Sequence, residues 1–125
     1  MKAGRRVGLA LALSNLLASG CAGGSALARQ SLMIDRGQTK EDVTRIMDVP
    51  GNRQFNGDDE AWQYCRTGLM TDNFTVVWFY GGRVTGVTTY KCTAEGCGYV
   101  GDCSQGFRTI RWEEAPDRTI EVRQR

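Results

Sequence analysis

Two β-rich runs, NFTVVWFY at 73–80 and RVTGVTTY at 83–90, are separated only by Gly81-Gly82. No other feature restricts the fold of these 125 residues as strongly. Both central positions of a type I′ turn need positive φ, which glycine adopts without a Cβ penalty, so the segment predicts a β-hairpin. With Tyr80 facing Arg83, Phe79 pairs with Val84 and Val77 with Gly86 on one side of the ribbon. Phe74, Val76, Trp78 and Tyr80 then share the other side with Thr85, Val87 and Thr89. The Phe79, Val77 and Val84 side is expected to carry the helices, with Gly86 allowing close approach. The opposite side holds Phe74, Trp78 and Tyr80, which form a candidate partner surface if left open and core if a C-terminal segment covers them.

The helices are read from the preceding residues. In GQTKEDVTRIMDVPG, 37–51, Thr39 is placed as an N-cap with Asp42 three residues on, the spacing of a capping box. Val43, Ile46 and Met47 then recur at helical spacing, and Pro50-Gly51 ends the helix. The stretch ARQSLMID, 28–35, predicts a short first helix offering Leu32 and Met33. EAWQYCR, 60–66, alternates as a strand with Trp62 and Tyr64 on one face and Ala61, Gln63 and Cys65 on the other. GFRTIRW and the segment 117–123 also alternate, as further strands or as a tail laid over the aromatics. The expected class is α+β: two short N-terminal helices packed on a small antiparallel sheet of three or more strands, with a disulfide-stapled C-terminal β extension.

The chain opens MKAGRRVGLALALSNLLASGC, with Lys2, Arg5 and Arg6 ahead of an apolar run from Val7 to Ala18. That run is shorter than the roughly twenty apolar residues a bilayer requires, and its flanks are those of a cleaved export signal. Ala18-Ser19-Gly20-Cys21 resembles a bacterial lipobox, which implies removal of residues 1–20 and acylation of Cys21. Residues 21–29 are then a lipid-anchored tether, small and unpatterned, and 30–125 the domain. Several acyl chains would hold the protein firmly at a membrane. Ala22 after the cysteine resembles lipoproteins sent to the outer membrane.

Without residues 1–20 the chain carries thirteen basic and fourteen acidic residues, which argues against the basic face of a nucleic-acid binder. It contains no histidine, which excludes Ser-His and Cys-His catalysis and the usual catalytic zinc sets. Asp58-Asp59-Glu60, and Glu113-Glu114 with Asp117, read as solvated turns rather than acid–base pairs. Nothing in the sequence calls for a cofactor. With Cys21 assigned to lipid, Cys65, Cys92, Cys97 and Cys103 are an even number in an exported chain and read as disulfides. There is no C-x-x-C, so a metal site fits poorly. Three connectivities are open; pairing Cys65 with Cys103 and Cys92 with Cys97 would tie the tail to the strand carrying Trp62.

The order of these features resembles a known family. Lipobox, tether, GQTKEDVTRIMDVP at 37–50, WQY at 62–64 and VVWFYGGRV at 76–84 are similar to the SmpA/OmlA (BamE-like) lipoprotein domain. The matching positions are Gly37, Thr39, Val43, Ile46 and Pro50 in the helical signature and Trp62, Tyr64, Phe79 and Val84 in the sheet. Asp48 departs from the glycine usual in the family, and the four cysteines and the tail beyond Tyr90 are additions. The resemblance implies two helices on an antiparallel sheet and a non-enzymatic lipoprotein of the outer membrane's periplasmic face, serving β-barrel assembly or envelope maintenance. The implied partners are barrel-assembly lipoproteins and anionic phospholipid, phosphatidylglycerol in particular. A competing expectation is a periplasmic enzyme inhibitor, since the β-lactamase-inhibitory protein fold is similar and the 92–103 loop could enter an active site. A third is a thiol or metal enzyme built on the four downstream cysteines.

Overall fold

The computed structural model describes residues 26–97 and 100–117. The expected signal, Cys21 and positions 118–123 of the expected last strand lie outside the described residues. The elements are α1 (Ala26–Ser31), α2 (Lys40–Met47), β1 (Asn52–Asn56), β2 (Asp59–Thr67), β3 (Thr71–Tyr80), β4 (Arg83–Thr93), α3 (Ala94–Cys97) and α4 (Cys103–Gly106), then a 3₁₀ turn at Trp112–Glu114. The class is α+β, with one antiparallel four-stranded sheet in the order β1-β2-β3-β4.

Gly81 and Gly82 both take positive φ, 57° and 80°, and join β3 to β4 in the two-residue turn their sequence predicts. Tyr80 faces Arg83 and Phe79 faces Val84, but the register then shifts, with Trp78 opposite Gly86 and Val77 opposite Val87. Thr85 is the extra residue, and its hydroxyl bonds back to the Trp78 carbonyl at 3.3 Å. The bulge corrects the expected pairing from Thr85 onward. Val87 moves to the helix face and Gly86 to the Trp78 face, where a Cβ would lie 2.6 Å from Pro116 Cγ. Gly86 therefore admits the C-terminal segment rather than a helix.

One layer of core forms between the helices and the sheet. Leu27, Ile34, Val43 and Met47 pack on Trp62, Tyr64, Val77, Phe79 and Val84, with Ile46 and Val87 at the margin. α1 begins at Ala26, so four residues of the expected tether are helical and Leu27 is buried. It ends at Ser31, and Leu32 and Met33, expected as the apolar residues of this helix, follow it and stand in solvent. α2 is capped by Thr39, whose hydroxyl accepts from Asp42 N at 3.1 Å while the Asp42 carboxylate accepts from Thr39 N at 3.0 Å. That backbone bond, ahead of the hydroxyl, holds the Asp42 carboxyl below its ordinary value.

Asp48 follows α2 at φ 68°, ψ −166°, a region occupied almost only by glycine. It is fixed there by its own N–H to the Thr44 carbonyl at 2.8 Å and by the Tyr64 hydroxyl donating to its carbonyl at 3.0 Å. Burial, then the Asp48 charge, pushes the Tyr64 phenol well up, so it remains a donor at any physiological pH. Relief of the backbone strain outweighs the extra freedom of an unfolded glycine, so Asp48→Gly is expected to raise stability by about 1 kcal/mol. Urea unfolding measures this, and a destabilised variant would show that the Asp48 backbone is not strained.

On the opposite face Ala61, Val76, Trp78 and Ile110 form a second layer, with Tyr90, Trp112 and Ala115 against it. Residues 107–117 thus cross the sheet face as a tail. They contain no β-strand, which corrects the expected β extension within the described residues. The reason lies in the backbone partners. Arg108 O accepts from Gln63 Nε2 at 2.8 Å and Gln54 Nε2 at 3.1 Å, and Ile110 N donates to Gln54 Oε1 at 3.0 Å. Side-chain amides standing up from β1 and β2 replace a strand ladder, since a chain lying on the face cannot reach the edge's backbone groups.

Candidate functional site

Of the three aromatics that form a candidate partner surface if uncovered and core if covered, Phe74 is 1% and Trp78 2% exposed, and Tyr80 alone reaches solvent at 39%. Phe74 and Trp78 are therefore core, the covered alternative, and only Tyr80 stays at the surface. Phe74 stacks on Tyr90 at 4.5 Å and meets Phe107 edge-on at 5.6 Å, while Trp112 sits edge-on to Trp78 at 6.1 Å. The Trp78 indole N–H donates to Thr88 Oγ1 at 2.8 Å. Gly106 presses so near that a Cβ there would lie 2.5 Å from Phe74 Cζ. Its lack of a side chain lets the tail seat directly on the ring.

The four downstream cysteines form Cys65–Cys103 and Cys92–Cys97, with Cα separations of 5.7 and 5.4 Å. The first joins β2 to α4, where the tail begins. The second closes a short exposed loop around Ala94, Glu95 and Gly96. Gly101 N donates to both oxygens of the buried Asp72 carboxylate at 3.2 Å, fixing the loop between the two bridges to β3. Among the described residues no three His, Cys, Asp or Glu side chains are grouped to hold a metal.

The acidic run 58–60 is not the solvated turn expected of it. Asp59 and Glu60 are buried, and Glu60 pairs with Lys40 of α2 while accepting the Trp62 indole N–H. Lys40→Met keeps the aliphatic stem and leaves the carboxylate without its cation. The expected loss is about 2 kcal/mol, less than for a fully enclosed pair because water reaches the Lys40 position. A double-mutant cycle with Glu60→Gln measures the coupling; additive losses would mean that the pair contributes nothing.

Sequence reasoning missed the polar clamp beneath the tail. Gln63, fully buried, also accepts from the Tyr90 hydroxyl at 2.7 Å, and the Arg108 guanidinium lies 4.2 Å over the Tyr90 ring. Burial raises the Tyr90 phenol's pKa, so it too stays protonated and donates. The available signal was a glutamine alternating with Ala61 and Cys65 on one strand face, a polar residue that needs partners if that face is covered.

What remains accessible is at the margins. On β1, an edge strand, Phe55 is 60% exposed with the Arg53 guanidinium 5.5 Å over its ring. Arg53 also borders an open groove of about 510 Å³ with Lys40, Thr44, Arg45 and Trp62. A second cleft, about 520 Å³, lies between the helices and β2, bordered by Gln30, Met47, Tyr64, Arg66 and Phe107. At the β2–β3 turn, Leu69 and Met70 are 97% and 76% exposed. No family model matches the chain, nor does any curated protein or solved structure.

Proposed function

We propose that this chain is a lipoprotein acylated at Cys21, held on the periplasmic face of the outer membrane, where it acts as a non-enzymatic interaction module in β-barrel assembly or envelope maintenance. One observation carries the reading: positions matched to the SmpA/OmlA (BamE-like) pattern pack as one unit. Val43, Trp62, Tyr64, Phe79 and Val84 share the helix-side core, and Gly37 N donates to Val84 O at 2.7 Å, joining the helical signature to the hairpin. A pattern that arose by chance along the chain would not be expected to converge on a single layer. The finer fold that goes with this reading is two N-terminal helices on the sheet, following a signal at 1–20 and a short tether.

The partners consistent with this reading are barrel-assembly lipoproteins and anionic phospholipid, with Arg53 and Phe55 on the β1 edge offered to the protein partners. Edge strands accept added strands, and exposed aromatic and arginine side chains anchor protein interfaces. Affinity purification of the native lipoprotein should recover barrel-assembly components, and Phe55→Ala should reduce that recovery without unfolding the protein. Recovery of a soluble hydrolase instead would overturn the reading in favour of an enzyme inhibitor. That second reading is favoured by the exposed, disulfide-closed loop at 92–97, which is preorganised to enter a cleft.

A further inference from the structure

The β2–β3 turn departs from the chemistry of turns. Tight turns are ordinarily built from Gly, Asn, Asp, Ser and Pro, whereas this one places Leu69 and Met70 at its tip. The glycine it does contain is structural: Gly68 N donates to Thr71 O at 2.8 Å, and a Cβ at Gly68 would stand 2.6 Å from that oxygen. Gly68 closes the ribbon tightly, and the next two side chains are held out in water. The Cys65–Cys103 bridge and the Thr67 Oγ1 to Cys103 Sγ contact at 3.4 Å stiffen the strand that presents them.

The position of the tip gives it a use. Leu27 of α1 borders the same hollows as Arg66 of β2 and Asn73 and Lys91 of β3 and β4, so α1 starts at this end of the sheet. The chain then runs to the opposite end, where Gly37 and Gln38 bond to Val84 beside the Gly81-Gly82 turn. Cys21 lies five residues before Ala26, and five residues span at most roughly 18 Å. An acylated Cys21 therefore keeps the Leu69–Met70 end within reach of the bilayer.

Arg66 and Lys91 both register against Asn73 and are exposed, forming a basic row across three strands. The row stands three residues from the tip, about 10 Å along the strands. Interfacial segments bury apolar groups about 5–10 Å into the headgroup and acyl boundary, so with Leu69 and Met70 at that depth the basic row lies level with the headgroup phosphates. Of the acidic residues of this end, Asp72 lies between the row and the tip but is buried, with Gly101 N on its carboxylate, and Glu95 and Asp102 belong to the cysteine loop rather than to the row.

We propose that Leu69 and Met70 insert into the membrane interface as a second attachment point beside the acylated N-terminus, fixing the orientation of the domain on the bilayer. This rests on the anchored reading above, and the test separates the two. The full-length protein, made in cells with a photo-cross-linking residue at 69, is irradiated in native membranes while radiolabelled palmitate reports on Cys21. A parallel sample carries the cross-linker at 55, an exposed position at the opposite end of the sheet.

Lipid adducts at 69 are expected in at least about tenfold excess over those at 55, the partitioning that one leucine-sized side chain supplies. Palmitate at Cys21 without lipid adducts at 69 overturns the insertion and leaves the anchored reading standing. Absence of palmitate defeats the anchored reading, and lipid adducts at 69 would then uphold insertion by themselves. Protein adducts at 69 in place of lipid overturn it, because the tip would then be a protein contact.

Discussion

Replacing Cys65 and Cys103 together by alanine is expected to lower the unfolding free energy by about 4 kcal/mol and to admit water to Trp78. The bridge closes 38 residues, for which the loss of chain entropy in the unfolded state is worth about 4 kcal/mol, against about 2 kcal/mol for the five-residue Cys92–Cys97 loop. The larger consequence is positional. Cys103 stands where the tail begins, and past it Phe107, Ile110, Trp112 and Pro116 lie on Phe74, Trp78 and Gly86. Without the bridge the tail is held by packing, by the Gln54 and Gln63 amides, by Arg108 on Tyr90 and by the Arg36 guanidinium donating to the Asp117 carbonyl. Hydrogen exchange of the Trp78 indole, which donates to Thr88, reads this directly alongside urea unfolding. The double variant should exchange faster than a Cys92→Ala, Cys97→Ala control. Equal exchange in the two variants would show that the tail's own contacts hold the cover and the bridge only limits the unfolded chain.

The parts of this fold legible in the sequence are those fixed by local chemistry. Gly81-Gly82 determines the turn, Thr39 and Asp42 make the cap they are spaced for, and alternation in 60–66 correctly separates Trp62 and Tyr64 from Ala61 and Cys65. Parity also pointed to disulfides, which the structure contains.

What was not legible depended on contacts distant in the chain. The bulge at Thr85 leaves no mark in a pattern of alternating residues, and it reverses the face of every β4 side chain after it. β1, NRQFN, has a single large apolar residue, and that residue faces solvent, so no apolar period announces the strand. The alternation in 107–112 was real but was satisfied by a tail on a sheet face, where Gln54 and Gln63 supply what another strand would have supplied. Glu60 misled for a similar reason. An acid in a run of acids reads as solvated until a lysine 20 positions earlier is brought over it by α2. The margins proposed for contact, Phe55 and the Leu69–Met70 turn, were visible only as exceptions to their elements' rules, the kind of exception at which a functional site is expected.

Trp78→Ala is expected to destabilise the chain by about 4 kcal/mol, the range for truncating a large aromatic in a packed core. The same truncation at Phe55 should stay within about 0.5 kcal/mol, as for other exposed positions. The contrast follows from the 2% exposure of Trp78 and its contacts on two sides, β4 below and the tail above. Removing the indole leaves a void lined by Val76, Ala61 and Ile110 and strips the Thr88 hydroxyl of its donor. A cycle with Trp112→Ala apportions the effect between sheet and tail. If the tail seats on Trp78 as a folded unit, the two truncations overlap, and the double variant loses less than the sum by about 0.5–3 kcal/mol. Strict additivity, or a Trp78→Ala cost below about 1 kcal/mol, would mean that the tail does not close over this face. Phe74 and Trp78 would then stand at the surface, the uncovered alternative of the sequence reading.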